Sequence, residues 1–183
     1  MPRINRVQRS RSARQCSACG GAIAKGEPYI WVKSRYGPRR ERCVKPECQF
    51  RQSELTSSEK LSQFYGAQEN IEDAVDAFRK CDGKDAFSDA LKCLIGEIES
   101  ARDEITEVSE QYEESAQNMD EYFPGSSQVD EIREKAENAQ TVVDEIDTAL
   151  DQIHDREIGD DEEFDDVVEE VVGEIENIDF SVM

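Results

Sequence analysis

Four cysteines near the amino terminus, Cys16 and Cys19 followed by Cys43 and Cys48, constrain this chain more than any other feature. Their spacing is C-x2-C, then 23 intervening residues, then C-x4-C. Two chelating pairs separated by enough chain for a small hairpin are what a structural zinc site requires. Four thiolates fill a tetrahedral shell and leave no open position. The expected cofactor is therefore one structural zinc ion, held by Cys16, Cys19, Cys43 and Cys48.

The residues between the pairs read as a β-hairpin. Cys19-Gly20-Gly21 has the composition of a zinc knuckle, in which glycines let backbone amides turn toward thiolate sulfur. Lys25-Gly26-Glu27-Pro28 makes a turn, and Tyr29-Ile30-Trp31-Val32-Lys33 is aromatic and β-branched enough for a strand. Tyr36-Gly37-Pro38 reverses the chain, and Arg39 to Cys43 returns as the partner strand. Pro46, inside the second pair, suits a tight turn or the first turn of a short helix. The fold class expected for residues 16–52 is a small zinc finger of treble-clef or zinc-ribbon type. Such a module has too few large apolar side chains to fold on burial alone, so the metal should contribute much of its folding energy.

Charge divides the chain near the end of this module. Residues 1–51 hold 13 Lys and Arg against 3 Asp and Glu, net +10, whereas residues 52–183 hold 9 against 40, net −31. Fields of one sign govern partner choice and encounter more than fold. The candidate nucleic-acid-binding residues are Arg3, Arg6, Arg9, Arg11 and Arg14 of a basic arm, 1–15, with Lys33, Arg35, Arg39, Arg40 and Arg42 of the hairpin. Period-two alternation places Lys33 with Arg35 on one strand face and Arg40 with Arg42 on another, with Tyr29, Trp31 and Tyr36 among them. Basic groups interleaved with aromatics can neutralise phosphates and stack on bases. The same aromatics would also serve as the finger's minimal core, leaving the arginines solvated or facing the acidic residues.

Beyond the finger the pattern becomes helical. Thr56 and Glu59 form a T-x-x-E capping box ahead of Leu61, Phe64, Gln68, Ile71, Val75 and Phe78, with Asp82-Gly83 ending the run. Phe87, Leu91, Leu94, Ile98, Ala101, Ile105, Val108, Tyr112, Ser115 and Met119 then alternate by four and three, a heptad seam about 50 Å long. After Phe123-Pro124-Gly125-Ser126, Val129, Ile132, Ala136, Ala139, Val143, Ile146, Leu150 and Ile153 repeat the spacing, and the short loop makes the two helices antiparallel neighbours. Residues 53–157 are thus expected to be an acidic three-helix region, an antiparallel bundle or coiled coil containing a long hairpin. Residues 158–183, with Phe164, Val168, Val171, Ile175, Ile178 and Val182, read as a fourth acidic helix or a tail. The seams also offer a route to a homo-oligomer.

Nothing in the chain resembles catalytic machinery. His154 is the only histidine, and there is no phosphate-cradling glycine loop, nucleophile elbow or histidine–carboxylate metal pattern. Cys81 and Cys93 read as small buried apolar residues. No apolar run approaches the roughly 20 residues of a membrane span, and the N-terminal arginines precede no apolar signal segment. A non-enzymatic, cytoplasmic protein without membrane contact is expected.

Pro2-Arg3-Ile4-Asn5-Arg6-Val7, Cys16-Ser17-Ala18-Cys19-Gly20, Lys25-Gly26-Glu27-Pro28-Tyr29, Arg35-Tyr36-Gly37-Pro38-Arg39-Arg40 and Cys43-Val44-Lys45-Pro46-Glu47-Cys48, continuing to Leu55-Thr56-Ser57-Ser58, resemble small four-cysteine zinc-finger proteins of tailed bacteriophages, generally without assigned function. The opening C-x2-C with Ile23-Ala24-Lys25-Gly26-Glu27 also resembles zinc fingers of poly(ADP-ribose) polymerases, which close their site with a histidine and a cysteine where this chain has Cys43 and Cys48. The first resemblance implies a phage-encoded accessory or regulatory protein acting in the host cytoplasm. Its basic head would contact nucleic acid or a nucleoprotein assembly while its acidic helices contact a protein. The alternative is an adaptor or inhibitor directed at a host protein, a nucleic-acid mimic in its sharpest form, with a purely structural finger.

Overall fold

The aromatic and β-branched run Tyr29–Lys33 becomes the central strand of a three-stranded antiparallel sheet in the computed structural model, which describes residues 2–33, 37–159 and 161–183. Strand β1 is Asn5–Val7, β4 is Tyr29–Lys33 and β5 is Arg39–Cys43, in the order β1-β4-β5; β2, Arg14–Gln15, and β3, Ala22–Ile23, form a separate two-stranded ribbon. Within the basic arm read at 1–15, Asn5–Val7 and Arg14–Gln15 are therefore strands. A central strand has two hydrogen-bonding edges, and β5 occupies one while β1 takes the other, with Val7 opposite Tyr29. Part of the reversal read at Tyr36-Gly37-Pro38 lies outside the described residues.

The chain divides into two compact units, Met1–Ser62 and Gln63–Met183. The first holds 14 Lys and Arg against 5 Asp and Glu, net +9; the second holds 8 against 38, net −30. In the strand-bearing unit, both faces of the sheet are covered. Tyr29 and Trp31 pack with Cys16, Ile23, Cys43 and Cys48 on one side. Ile30 and Val32 pack with Phe50, Val44 and Leu55 on the other.

Four α-helices follow: α1 Glu59–Phe78, α2 Lys84–Tyr122, α3 Ser127–Ile153 and α4 Phe164–Glu176. The cap of α1 is Ser58, whose Oγ accepts from the Leu61 N–H at 3.4 Å; Thr56 instead accepts from the Ser58 N–H. The capping pattern read at Thr56 is displaced by two residues because the chain enters the helix at Glu59. Gly83, read as part of a helix stop, precedes α2 at φ +83°.

Helices α2 and α3 are antiparallel. Arg102 reaches Asp147 at 3.2 Å, the Ser109 hydroxyl donates to the Ala136 carbonyl at 2.9 Å, and Arg133 reaches Asp120 at 3.0 Å. Contact positions on one helix rise as those on the other fall. The seam residues from Phe87 to Tyr112 are buried, but the next buried residue is Ala116, not Ser115. On α3, Val142 and Ala149 are buried beside the expected seam and Ile132 is only half-buried. This wider stripe has two neighbours to satisfy. Helix α4 packs on α3 as well, burying Val167, Val168, Val171, Val172 and Ile175. Residues 164–176 are thus helical and packed, resolving the choice between helix and tail. After α4, Asn138 donates to the Val182 carbonyl at 2.8 Å and Glu145 accepts from the Asp179 N–H at 2.8 Å.

Phe78, Phe87 and Phe164 gather the ends of three helices, with ring centroids 5.6 Å apart for the first two and 6.3 Å for the last two. The seams are buried within one chain. Cys93 departs from its expected burial: it is exposed, because Leu91 and Leu94 take the seam and turn position 93 outward. Cys81 is half-buried. Among the described residues, no helix is long and apolar enough to cross a membrane.

Candidate metal centre

Three short pieces of backbone deliver the cysteines. Cys16 follows β2, Cys19 lies in the turn before β3, Cys43 ends β5, and Cys48 ends a 3-10 turn, Pro46–Cys48, with proline in its first turn. The Cys16 N–H donates to the Gly21 carbonyl at 2.8 Å and the Gly20 N–H to the Cys16 carbonyl at 3.0 Å, closing the turn. Gly20 sits at φ +70°, which disfavours any side chain. A Cβ at Gly21 would lie 3.3 Å from the Cys19 sulfur, so this glycine clears room for the thiolate.

The four Sγ atoms lie within 4.8 Å of one another, and Cys19 and Cys43 are 4.0 Å apart. A tetrahedral ion with metal–sulfur bonds of about 2.3 Å has sulfur–sulfur edges of about 3.8 Å. The cluster is compatible with a metal site after a small contraction, and its cysteines are not joined as disulfides. Cys16 and Cys48 are buried while Cys19 is exposed.

The electrostatics of the bare thiols are uneven. Burial opposes ionisation of Cys16, but N–H groups of Cys19, Cys43 and Ala18 and the Cys19 thiol outweigh it and bring Cys16 down to about 6. Cys48 moves the other way, to about 12, because hydrogen bonding with Cys43, burial and the neighbouring Cys19 and Cys16 sulfurs all oppose its charge. One thiolate forms readily and the cluster resists the last. A bound cation reverses that resistance, since a coordinating thiol is deprotonated outright.

The basic residues fall into two groups. Arg14 hydrogen-bonds both oxygens of Glu41 and lies 4.8 Å from the Tyr29 ring centroid. Arg39 reaches Glu41 at 2.9 Å, donates to the Tyr29 hydroxyl at 2.8 Å and covers the Trp31 ring at 3.9 Å. On the opposite sheet face, Arg40 and Arg42 converge on Glu54 and lie over the Phe50 ring at 5.4 and 4.3 Å. Burial disfavours the Glu54 carboxylate, yet the Arg42 guanidinium, the Arg51 N–H and the Arg40 charge hold its carboxyl below the ordinary range. These four arginines are engaged by the unit's own carboxylates and rings.

Arg3, Arg6, Arg9, Arg11 and Lys33 are exposed and form no ion pair among the described residues. Arg35 lies outside them. Register pairs Lys33 with Arg39, so Lys33 shares the Trp31 face and not the face of Arg40 and Arg42. The hairpin therefore splits its positive charge across two faces. Glu41 and Glu54, absent from the expected site, engage three of its arginines, Arg39, Arg40 and Arg42. Glu41 alternates with the arginines of β5 and was available as a signal; Glu54 is remote in sequence from the guanidiniums it meets.

His154 caps α3 with its side chain exposed, its Nδ1 3.1 Å from Asp155. No protein-family model, curated protein or solved structure matches this chain.

Proposed function

We propose that the first unit is a zinc finger whose four cysteines hold one structural Zn2+, and that the protein is a non-enzymatic accessory factor, of the phage-encoded kind its head resembles, joining a polyanion to a protein. The observation carrying this reading is the segregation of charge, +9 around the cysteine cluster and −30 on the helical unit. Zinc suits four thiolates because it accepts a closed tetrahedral sulfur shell without redox chemistry. Arg3, Arg6, Arg9 and Arg11, with Lys33, have exposed charges for phosphate. Nucleic acid or a nucleoprotein assembly is the ligand of that chemistry, and the acidic helices face a protein.

A labelled oligonucleotide titrated with the full zinc-loaded chain tests the polyanion half. Binding should fall linearly on a logarithmic salt scale. Replacing Arg6, Arg9 and Arg11 by alanine should reduce the duplex slope by about 0.9 for each phosphate that the variant no longer neutralises. Arg40→Ala should act chiefly on the stability of the head. Absence of binding at low salt would exclude the reading.

A second reading, an adaptor or inhibitor of a basic protein with a purely structural finger, is favoured by one observation: Arg14, Arg39, Arg40 and Arg42 are already engaged by Glu41 and Glu54. On that reading the full chain does not bind the oligonucleotide, and DNA competes with it for a basic partner.

A further inference from the structure

We infer that the loop joining α2 and α3 is a docking tip whose occupant is a protein surface with an apolar cleft rimmed by lysine or arginine. This rests on the reading of the helical unit as the protein-facing half, and it names where contact is made and with what chemistry. Tyr122 and Phe123 are 73% and 68% exposed; among the described residues, Ile4 at 43% is the other exposed large apolar side chain. Two adjacent aromatics facing water at the end of a well-packed hairpin contribute little to folding. Aromatic residues on rigid supports are the side chains that most often dominate protein interfaces.

The tip is held in shape. The Phe123 N–H donates to the Met119 carbonyl at 2.8 Å, and the Ser126 N–H to the Phe123 carbonyl at 3.2 Å. Gly125 turns the chain at φ +77°, and the Ser126 hydroxyl caps α3 by accepting from the Gln128 N–H at 3.3 Å. Val129 is buried below, and Arg133 ties Asp120 to Asp130 across the turn, at 3.0 and 3.9 Å. A partner would meet a preorganised surface and spend little ordering it.

Charge selects the occupant. Residues 113–131 contain six carboxylates, Glu113, Glu114, Asp120, Glu121, Asp130 and Glu131, which Arg133 offsets only in part by pairing with Asp120 and Asp130. Nucleic acid and anionic lipid are repelled by that collar, and a second copy would bring the same charges to the contact. A cleft with a basic rim satisfies both the aromatic pair and the collar.

The test is selection of a displayed random-peptide library on the full zinc-loaded chain, followed by affinity measurement against wild type and a Tyr122→Ser, Phe123→Ser double variant. The expected peptides combine large apolar residues with lysine or arginine and bind the double variant about tenfold or more weakly. The variant should retain the wild-type melting temperature, because both side chains are exposed. Basic peptides that bind both proteins equally would overturn the tip while leaving the helical unit as the protein-facing half. Recovery of no basic peptide would overturn both. Loss of melting temperature in the variant would assign the aromatics to folding, and wild-type-specific sedimentation with phosphatidylcholine vesicles would assign them to lipid; either result overturns the proposal.

Discussion

One guanidinium chiefly governs the Glu162 carboxyl. Arg156 donates to it at 2.9 and 3.1 Å and also meets Glu170 at 2.6 Å, while the Gly159 N–H adds a bond of 2.7 Å. Arg156 first, then Gly159, hold the Glu162 carboxyl at about 2. A folded value below the unfolded one means that this contact stabilises the fold above the ordinary glutamate range, near about 4.3. Its contribution fades as pH falls toward about 2. Carbon-detected NMR of the side-chain carboxyl should place the Glu162 midpoint near that lower value, and Arg156→Gln should raise it toward the ordinary range, with the Gly159 N–H retaining part of the shift. An unchanged midpoint in the variant would contradict the assignment. The same logic explains which basic residues could be read from sequence. Positive charge in the first third was plain, but whether a given arginine was free depended on carboxylates brought to it by the sheet. Arg40 and Arg42 are engaged by Glu54, which sequence assigned to the acidic helical region. Cys93 makes a related point: its type favours burial, and one position of helical phase overrules it.

At the scale of the element, the alternation of four and three in α2 was legible because the apolar face of a helix recurs every few residues regardless of what covers it. Its distal register was not. A straight helix drifts relative to a strict seven-residue repeat, and beyond Tyr112 the next residue in contact is Ala116, which is fully buried, while Ser115 is half-buried. Denaturant melts can read that shift. Ala116→Leu should cost about 1–3 kcal/mol through overpacking, whereas Ser115→Leu should cost much less. Equal effects would place the seam back on position 115. In the strand-bearing unit, strand identity was readable from Tyr29–Lys33 and Arg39–Cys43, both of which appear with the expected bounds. The incorporation of Asn5–Val7 as an edge strand was not, since three residues carry little periodicity and their pairing is decided by the open edge of β4.

For the whole molecule, the two units should differ in what maintains them. The helical unit buries long apolar seams from four helices, whereas the strand-bearing unit has two small clusters, one made partly of the cysteines themselves. Zinc binding in small finger domains supplies about 10–16 kcal/mol of apparent free energy near neutral pH. Adding a strong chelator to the full chain should therefore collapse the amide NMR dispersion of residues 1–58 and leave the helical circular dichroism nearly intact. Retention of the dispersed signals without metal would refute a folding role for the ion. Cys48→Ala should give the same loss without chelator. Sequence by itself determined the four-cysteine cluster, the strand and helix types and the division of charge, because each is written in local spacing or simple composition. Tertiary structure decided which arginines are free, where the α2 seam runs beyond Tyr112 and which aromatics remain in water. Those properties depend on partners far apart in the chain, and only folding chooses them.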